Sequence, residues 1–197
     1  MKSHIRQALQ VAHSALEQLL ANEKTLSQIG EAGTLLVNSL KAEGRVYSCG
    51  NGGSMCDAMH FAEELSGKFR GERAALGAMA ISDPAHLSCT ANDFGYEHVF
   101  SRFVTAQGRK GDVLLGISTS GTSQNVLLAC EAAKAKGMAV ITLTGKPDSK
   151  VGALADVDIT TPADTPYSDR VQELHIKVIH ILIELVERDL FPENYPN

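Results

Sequence analysis

From Arg45 onward, short runs rich in apolar and β-branched residues alternate with segments of helical period, and no other feature of the chain restricts its fold as much. The runs lie at 45–49, 77–81, 112–117, 138–143 and 156–160, separated by helical patterns at 54–68, 84–91, 96–106 and 122–136 and a short one near 149–154. Val113-Leu-Leu-Gly-Ile117 and Ala139-Val-Ile-Thr-Leu143 stay apolar on successive positions rather than alternate ones, so both faces of these strands must be covered. Strands joined by crossover helices pair in parallel, which makes this an α/β chain with helices on both sides of a five-stranded parallel sheet.

Two amphipathic patterns precede the first strand, at 4–22 and 26–43, the second ending at Glu43-Gly44 as a glycine stop. Such helices cannot bury their apolar faces alone and must pack on the sheet layer or on another subunit. The last helix, near 168–189, contains Val178-Ile-His-Ile-Leu-Ile-Glu-Leu-Val186, apolar on nearly every side and expected to be buried. The organisation expected is a helical pair at 1–43, an α/β domain at 44–190 and a loose tail at 191–197, with no internal repeat.

Composition excludes several functions. A net charge of −5 argues against a nucleic-acid partner, since neutralising a phosphate backbone needs clustered Lys and Arg, and no such partner is expected. No apolar run approaches the ~18 residues of a membrane span, and no apolar leader follows Met1. The four cysteines, Cys49, Cys56, Cys89 and Cys130, form no CxxC pair, as expected of free thiols in a cytoplasmic protein.

Two loops carry the chemistry. In the first, the strand 45–49 feeds Gly50-Asn-Gly-Gly-Ser54 and then a helix, a recipe for an anion site on free backbone N–H groups, with Ser54 placed to cap the helix or meet a ligand. It is neither a dinucleotide fingerprint, since Met55 stands where the third glycine belongs, nor a P-loop, since no G-K-[ST] follows. In the second, Ser118, Thr119, Ser120, Thr122 and Ser123 offer five short hydroxyls where another helix begins. Capping needs one or two of them. Both loops fall at carboxyl ends of parallel strands, where α/β sheets bind ligands. Hydroxyls and backbone amides without an arginine or lysine suit a phosphate monoester on a polyol.

Cys49-Gly-Asn-Gly-Gly-Ser54 and Ile117-Ser-Thr-Ser-Gly121 resemble the sugar isomerase (SIS) domain family. The longer strings 56–65, 111–121 and 175–183 are similar to the branch of that family that isomerises sedoheptulose 7-phosphate to D-glycero-D-manno-heptose 7-phosphate, the first step toward the activated heptoses of lipopolysaccharide. The resemblance implies a three-layer fold and a homotetramer with sites at subunit interfaces. It implies a phosphate cradle at Ser118, Thr119, Ser120 and Ser123, and sugar contacts at Asn51, Gly52, Gly53, Ser54, Asn92, Asp93 and Gln172. It also implies Glu64 and His180 as the acid–base pair, and one zinc per subunit on His60, Glu64, Gln172 and His180. Relatives often carry arginine where this chain has Lys68, so a bidentate contact is not expected there.

Residue types agree with that chemistry. Ketose–aldose interconversion needs a base moving one proton between adjacent carbons and an acid serving the oxygens. Glu64 follows His60 by four residues and shares its helical face, whereas Glu63 points about 100° away. Asp57, Glu63 and Asp93 are the rival bases; Asp169 either meets substrate or caps its helix, and His175 reads as structural. Gln172 and His180 are eight residues apart, about 12 Å along a helix. Either Gln172 precedes the regular helix, or the site draws on two subunits. The alternatives to a heptose-phosphate isomerase are an isomerase or epimerase of a smaller phosphosugar, and a non-catalytic SIS protein that senses phosphosugars or binds a replication initiator.

Overall fold

The computed structural model describes residues 1–195. The five runs become β1 (Val46–Gly50), β2 (Ala78–Ala80), β3 (Val113–Ser118), β4 (Ala139–Thr144) and β5 (Val157–Thr160). All pairings are parallel, in the order β2-β1-β3-β4-β5. Seven helices flank them: α1 (Lys2–Leu20), α2 (Glu23–Lys41), α3 (Gly53–Ser66), α4 (Pro84–Phe94), α5 (Val99–Gln107), α6 (Gln124–Ala135) and α7 (Ser168–Leu190).

Alternation along the strands divides the core in two. Val113, Leu115 and Ile117 face the layer of α1, α2, α3 and α7, with Phe61 and Leu65 of α3 and Val178 and Leu182 of α7 against them. Leu114 and Val140 face the other layer, where Val99 and Phe100 of α5 meet Val126 and Ala129 of α6. Phe61 and Phe100 are both 0% exposed, and truncating either to alanine would cost about 3–5 kcal/mol.

Caps explain most helix ends. The Asn22 side chain accepts from the Thr25 N–H at the start of α2, and Asp83 accepts from the His86 N–H ahead of Pro84 at the start of α4.

Four local expectations need correcting. The α2 helix is not ended by a left-handed glycine: Glu43 itself takes φ 60°, while a side chain on Gly44 would crowd Ser39 and lie 2.9 Å from the Gly111 carbonyl. Gly44 serves a close approach between segments. The pattern near 149–154 forms only a 3-10 turn, Gly152–Leu154. The α7 helix is not buried all round, because its apolar stripe faces the sheet and leaves Ile181 40% exposed. Residues 191–195 are tied down through a 3-10 turn at Pro192–Asn194 and a hydrogen bond from Tyr195 Oη to Glu187 Oε2 at 2.7 Å; residues 196 and 197 lie outside the described chain.

The sheet order reverses direction between β1 and β3, the crevice where open α/β sheets receive ligands. Each of the two loops follows one of those strands.

Candidate active site

The two loops are latched to each other. Asn51 Nδ2 donates to Asn125 Oδ1, and Asn125 Nδ2 donates back to Asn51 Oδ1, both at 2.8 Å. Tyr96 Oη adds a third bond to Asn51 Oδ1 at 3.2 Å. Of Gly50, Gly52 and Gly53 at the start of α3, only Gly52 would place a Cβ in open space. A Cβ on Gly50 would strike Ser54 at 2.7 Å, and one on Gly53 would overlap the Gln172 carboxamide. Gly50 and Gly53 therefore make room for protein neighbours, whereas Gly52 has open space where a side chain would stand. Ser54 is buried and provides no cap, since Gly52 occupies that position.

In the second loop the hydroxyls are turned toward one another. Ser118 Oγ lies 2.9 Å from Ser123 Oγ and 3.5 Å from Ser120 Oγ, and accepts from the Gly121 N–H at 3.1 Å. Ser123 is the N-cap residue of α6, yet its side chain makes no cap bond. The hydroxyls are not consumed by the helix end, as a capping role requires. Thr119 and Ser120 open onto a cavity of about 220 Å³ whose far wall is Gly145, Lys146 and the segment leading into α7.

Farther down the same helical layer, α3 and α7 bring together three groups expected to act on substrate or metal. His60 Nε2 lies 2.9 Å from His180 Nε2 and 3.5 Å from Glu64 Oε1. Glu63 joins them: its Oε1 is 3.2 Å from His60 Nδ1. One residue on a helix is a 100° step, but a side chain three positions beyond His60 still reaches the other side of the ring. The expectation that only Glu64 meets this cluster is therefore wrong for Glu63.

Burial first, and the Glu63 charge next, raise the Glu64 carboxyl, opposed by His60. Burial lowers His180, as do His60, Lys177 and Arg70 nearby, which favours the neutral imidazole. Asp57, one turn before His60, is pushed by burial up to about 6, and its Oδ2 has no hydrogen-bond partner. His175 is fully buried; desolvation takes it down to about 4, only partly opposed by an approach to the backbone of Thr144 too weak to form a proper hydrogen bond.

The metal donors divide. His60, Glu63 and Glu64 present ligand atoms all within 4.8 Å of one another, and His180 Nε2 stands beside them, a nitrogen and carboxylate set that fits zinc. Gln172 does not join it. It is the fifth residue of a regular α7, packed on Gly53 and about 12 Å along the axis from His180. Asn92 and Asp93 lie exposed on α4, bonded to each other at 2.7 Å. Asp169 sits in the first turn of α7, accepts from the adjacent Arg170 N–H and lines a cavity against α1; it is not the N-cap, which is Tyr167. Lys68 is exposed, while the buried cation of this loop is Arg73.

Sequence reasoning missed Asn125 and Arg73. Asn125 had a signal, a lone amide on the small, apolar face of α6 with Val126, Ala129 and Ala133. Arg73 had none of its own, but its partner Glu187 stands on the α7 stripe of Ile179, Ile183 and Val186, where a carboxylate demands a partner.

Residues 9–145 match the SIS domain family model. A phosphoheptose isomerase of Aeromonas hydrophila is 61% identical over 186 residues, covering 94% of this chain and 96% of its own. The corresponding protein of Edwardsiella ictaluri is 58% identical over the same shares of the two chains. Among solved structures, phosphoheptose isomerase GmhA from Neisseria gonorrhoeae superposes with a TM-score of 0.81 at 37% identity, covering 94% of this chain and 96% of that one. A phosphoheptose isomerase from Francisella tularensis gives the same TM-score at 31% identity, covering 95% and 96%.

Proposed function

The chain belongs to the phosphoheptose isomerase family of SIS-domain proteins, and from that premise we propose that Glu64 and His180 are the acid–base pair of its reaction. That reaction interconverts sedoheptulose 7-phosphate and D-glycero-D-manno-heptose 7-phosphate in heptose synthesis. The observation that carries the assignment is the convergence of His60, Glu64 and His180 from two helices, an arrangement a passive binding protein does not require.

Glu64 removes the proton from C1 of the open-chain ketose, while His180 protonates the carbonyl oxygen at C2. The enediol that results is reprotonated at C2 by Glu64, and His180 takes the proton from the oxygen on C1 to leave the aldehyde. Burial suits both groups to these roles: Glu64 is held more basic than a surface carboxylate, and His180 remains a neutral imidazole able to give and take a proton. The hydroxyls of Ser118, Thr119, Ser120 and Ser123 receive the phosphate. Asn51, Gly52, Gly53, Ser54, Asn92, Asp93, Asp169 and Gln172 complete the sugar site.

His60, Glu64 and His180 would hold zinc, one ion per subunit. Zinc bound there supplies a Lewis acid for the ketose oxygens. Gln172 is assigned to substrate, and reaches a metal only from a neighbouring subunit.

The enzyme acts as a homotetramer whose sites are completed at subunit interfaces. Two features support this reading. The hydroxyl loops and the His60–Glu64–His180 cluster occupy different levels of the α3/α7 layer, separated by about 10 Å of helix between Gly53 and His60. On α1, Ile5, Leu9, Leu16 and Leu20 form a stripe at helical spacing that is 55%, 67%, 42% and 70% exposed. No helix among the described residues is long and apolar enough to cross a membrane. Four free cysteines suit a cytoplasmic setting.

The test is a proton NMR time course of purified protein with sedoheptulose 7-phosphate, with and without a chelator. An aldoheptose anomeric signal is expected in the untreated sample, with loss of turnover under chelation. Binding without conversion would refute the catalytic assignment, and full turnover under chelation would refute the zinc.

A further inference from the structure

Directly behind Glu64 lies an ion pair that the reaction as described does not use. The side chains of Arg73 and Glu187 are both 0% exposed and joined by an Nε–Oε1 hydrogen bond of 2.8 Å. The guanidinium is turned toward the end of α3. Nη2 donates to the Glu64 carbonyl at 2.6 Å, and Nη1 lies 2.7 Å from the Leu65 carbonyl, 3.0 Å from that of Gly67 and 3.1 Å from that of Ala74. The other oxygen of Glu187 accepts from Tyr195 Oη at 2.7 Å, and the Phe191 ring faces the guanidinium at 5.8 Å.

We propose that Arg73 and Glu187 are positioning residues for the isomerase reaction: a clamp between the end of α3 and α7, closed by Tyr195, that sets Glu64 against His180.

Three observations carry this. A buried ion pair is a poor way to gain stability, because desolvation offsets most of the attraction and an apolar pair of similar size often does as well. Capping the end of α3 does not demand burial either, since the last carbonyls of a helix are readily served by water or a surface lysine. What the pair does provide is registry. Arg73 holds the backbone carbonyl of the residue whose carboxylate is to act. Its partner Glu187 lies seven residues beyond His180, two turns along the same face of α7. Any slide or roll of α7 against α3 that altered the spacing of Glu64 and His180 would break the 2.8 Å bond between the clamp residues.

The inference rests on the assignment of Glu64 and His180 to the chemistry, and the experiment separates the two. The main variant is R73M/E187M, which removes both charges together and keeps comparable volume. Single variants would strand one buried charge and strongly destabilise the protein, which would mask any effect on positioning. Misplacement of a catalytic group by about 1 Å lowers rate by about a hundredfold. The double variant is therefore expected to fold, to lose kcat by about ten- to a hundredfold, and to keep KM for sedoheptulose 7-phosphate within about twofold, because the hydroxyl loops do not touch the clamp. Y195F deletes only the outer hydroxyl and is expected to lower kcat by about two- to fivefold at unchanged KM.

The second readout needs no turnover. In ¹H–¹⁵N spectra the imidazole signals of His60 and His180 should shift in both variants, while those of His86, on the opposite layer, stay in place. Moving signals with an inactive parent enzyme would support the clamp and overturn the catalytic reading. A folded double variant with parental kcat and unmoved His60 and His180 signals would overturn the clamp. So would a rise in KM with kcat unchanged. If the double variant does not fold, Y195F decides between the same outcomes: parental kcat and unmoved imidazole signals overturn the proposal.

Discussion

Replacing Asn125 by alanine tests whether the two loops work as one unit. The change removes the two 2.8 Å bonds exchanged with Asn51 and the 3.0 Å bond that Asn125 Oδ1 accepts from the Val126 N–H. Each neutral bond contributes about 0.5–1.5 kcal/mol net, and a buried N–H left without a partner costs about 1–3 kcal/mol. Asn51 is only half-buried and keeps the Tyr96 hydroxyl, so water recovers part of its loss. The balance is a destabilisation of about 2–4 kcal/mol, roughly 5–15 °C in Tm for a chain of this length. Freed from β3's loop, the Gly50–Ser54 turn should hold substrate less well, and KM should rise more than kcat falls. Asn125→Asp is the discriminating control. It keeps the acceptor for Val126 and for Asn51 Nδ2, so it should lose less stability than alanine, but its charge beside the hydroxyl loop should raise KM further. Urea unfolding at fixed protomer concentration, with steady-state kinetics, measures both. A stability change below about 0.5 kcal/mol in Asn125→Ala, or parental KM in Asn125→Asp, would refute the latch.

Glu64→Gln keeps the side-chain shape and removes the base; kcat should fall by about 10²–10⁴-fold with binding retained, and appreciable turnover would strip Glu64 of its role. Ser120→Ala removes a phosphate contact made equally in ground and transition states, so KM should rise with kcat nearly unchanged; unaltered KM would leave Ser120 as a turn residue that only accepts from Thr122. His175 is buried neutral, with its pKa taken from 6.5 down to about 4, so the folded state refuses a proton that the unfolded chain accepts. Its full contribution to stability is present above 6.5 and is lost as pH falls toward 4, at about 1.4 kcal/mol per unit and about 3 kcal/mol in all. Asp57, raised to about 6, acts in the opposite sense over an overlapping range, so the useful quantity is the difference between the parent and His175→Leu. The unfolding free energy of the parent should fall by about 3 kcal/mol relative to that of His175→Leu as pH drops from 6.5 to 4, and parallel profiles would count against a neutral buried His175.

Strands and helices were legible because burial on two faces imposes a pattern of its own. Short apolar runs at successive positions in 113–117 and 139–143, set between helical patterns, read as inner strands, and each strand was located to within a residue. Helix ends were harder. Glu43 adopts φ 60° although Gly44 stands next to it, because Gly44 is needed for the close approach to Ser39 and Gly111, a contact between segments far apart in sequence. Ser54 looked like a cap because sequence distance places it at the helix start, whereas backbone geometry assigned the cap to Gly52.

The sequence by itself determined a parallel α/β sheet, the two loops at its carboxyl edge and the pairing of His60 with Glu64, since each follows from periodicity within about twenty residues. Family resemblance added His180, and the comparisons secured the family. Only the tertiary structure decided that Asn51 latches to Asn125, that His180 stands 2.9 Å from His60, that Gln172 packs on Gly53 away from both, and that Arg73 reaches Glu187 behind Glu64. These pairs are separated by 74 to 120 residues, and a contact of that range leaves no periodic trace in either segment. It exists because two faces, each specified locally by its own burial, are pressed together when the sheet is covered, and which side chains then meet depends on how α3, α6 and α7 lie across it.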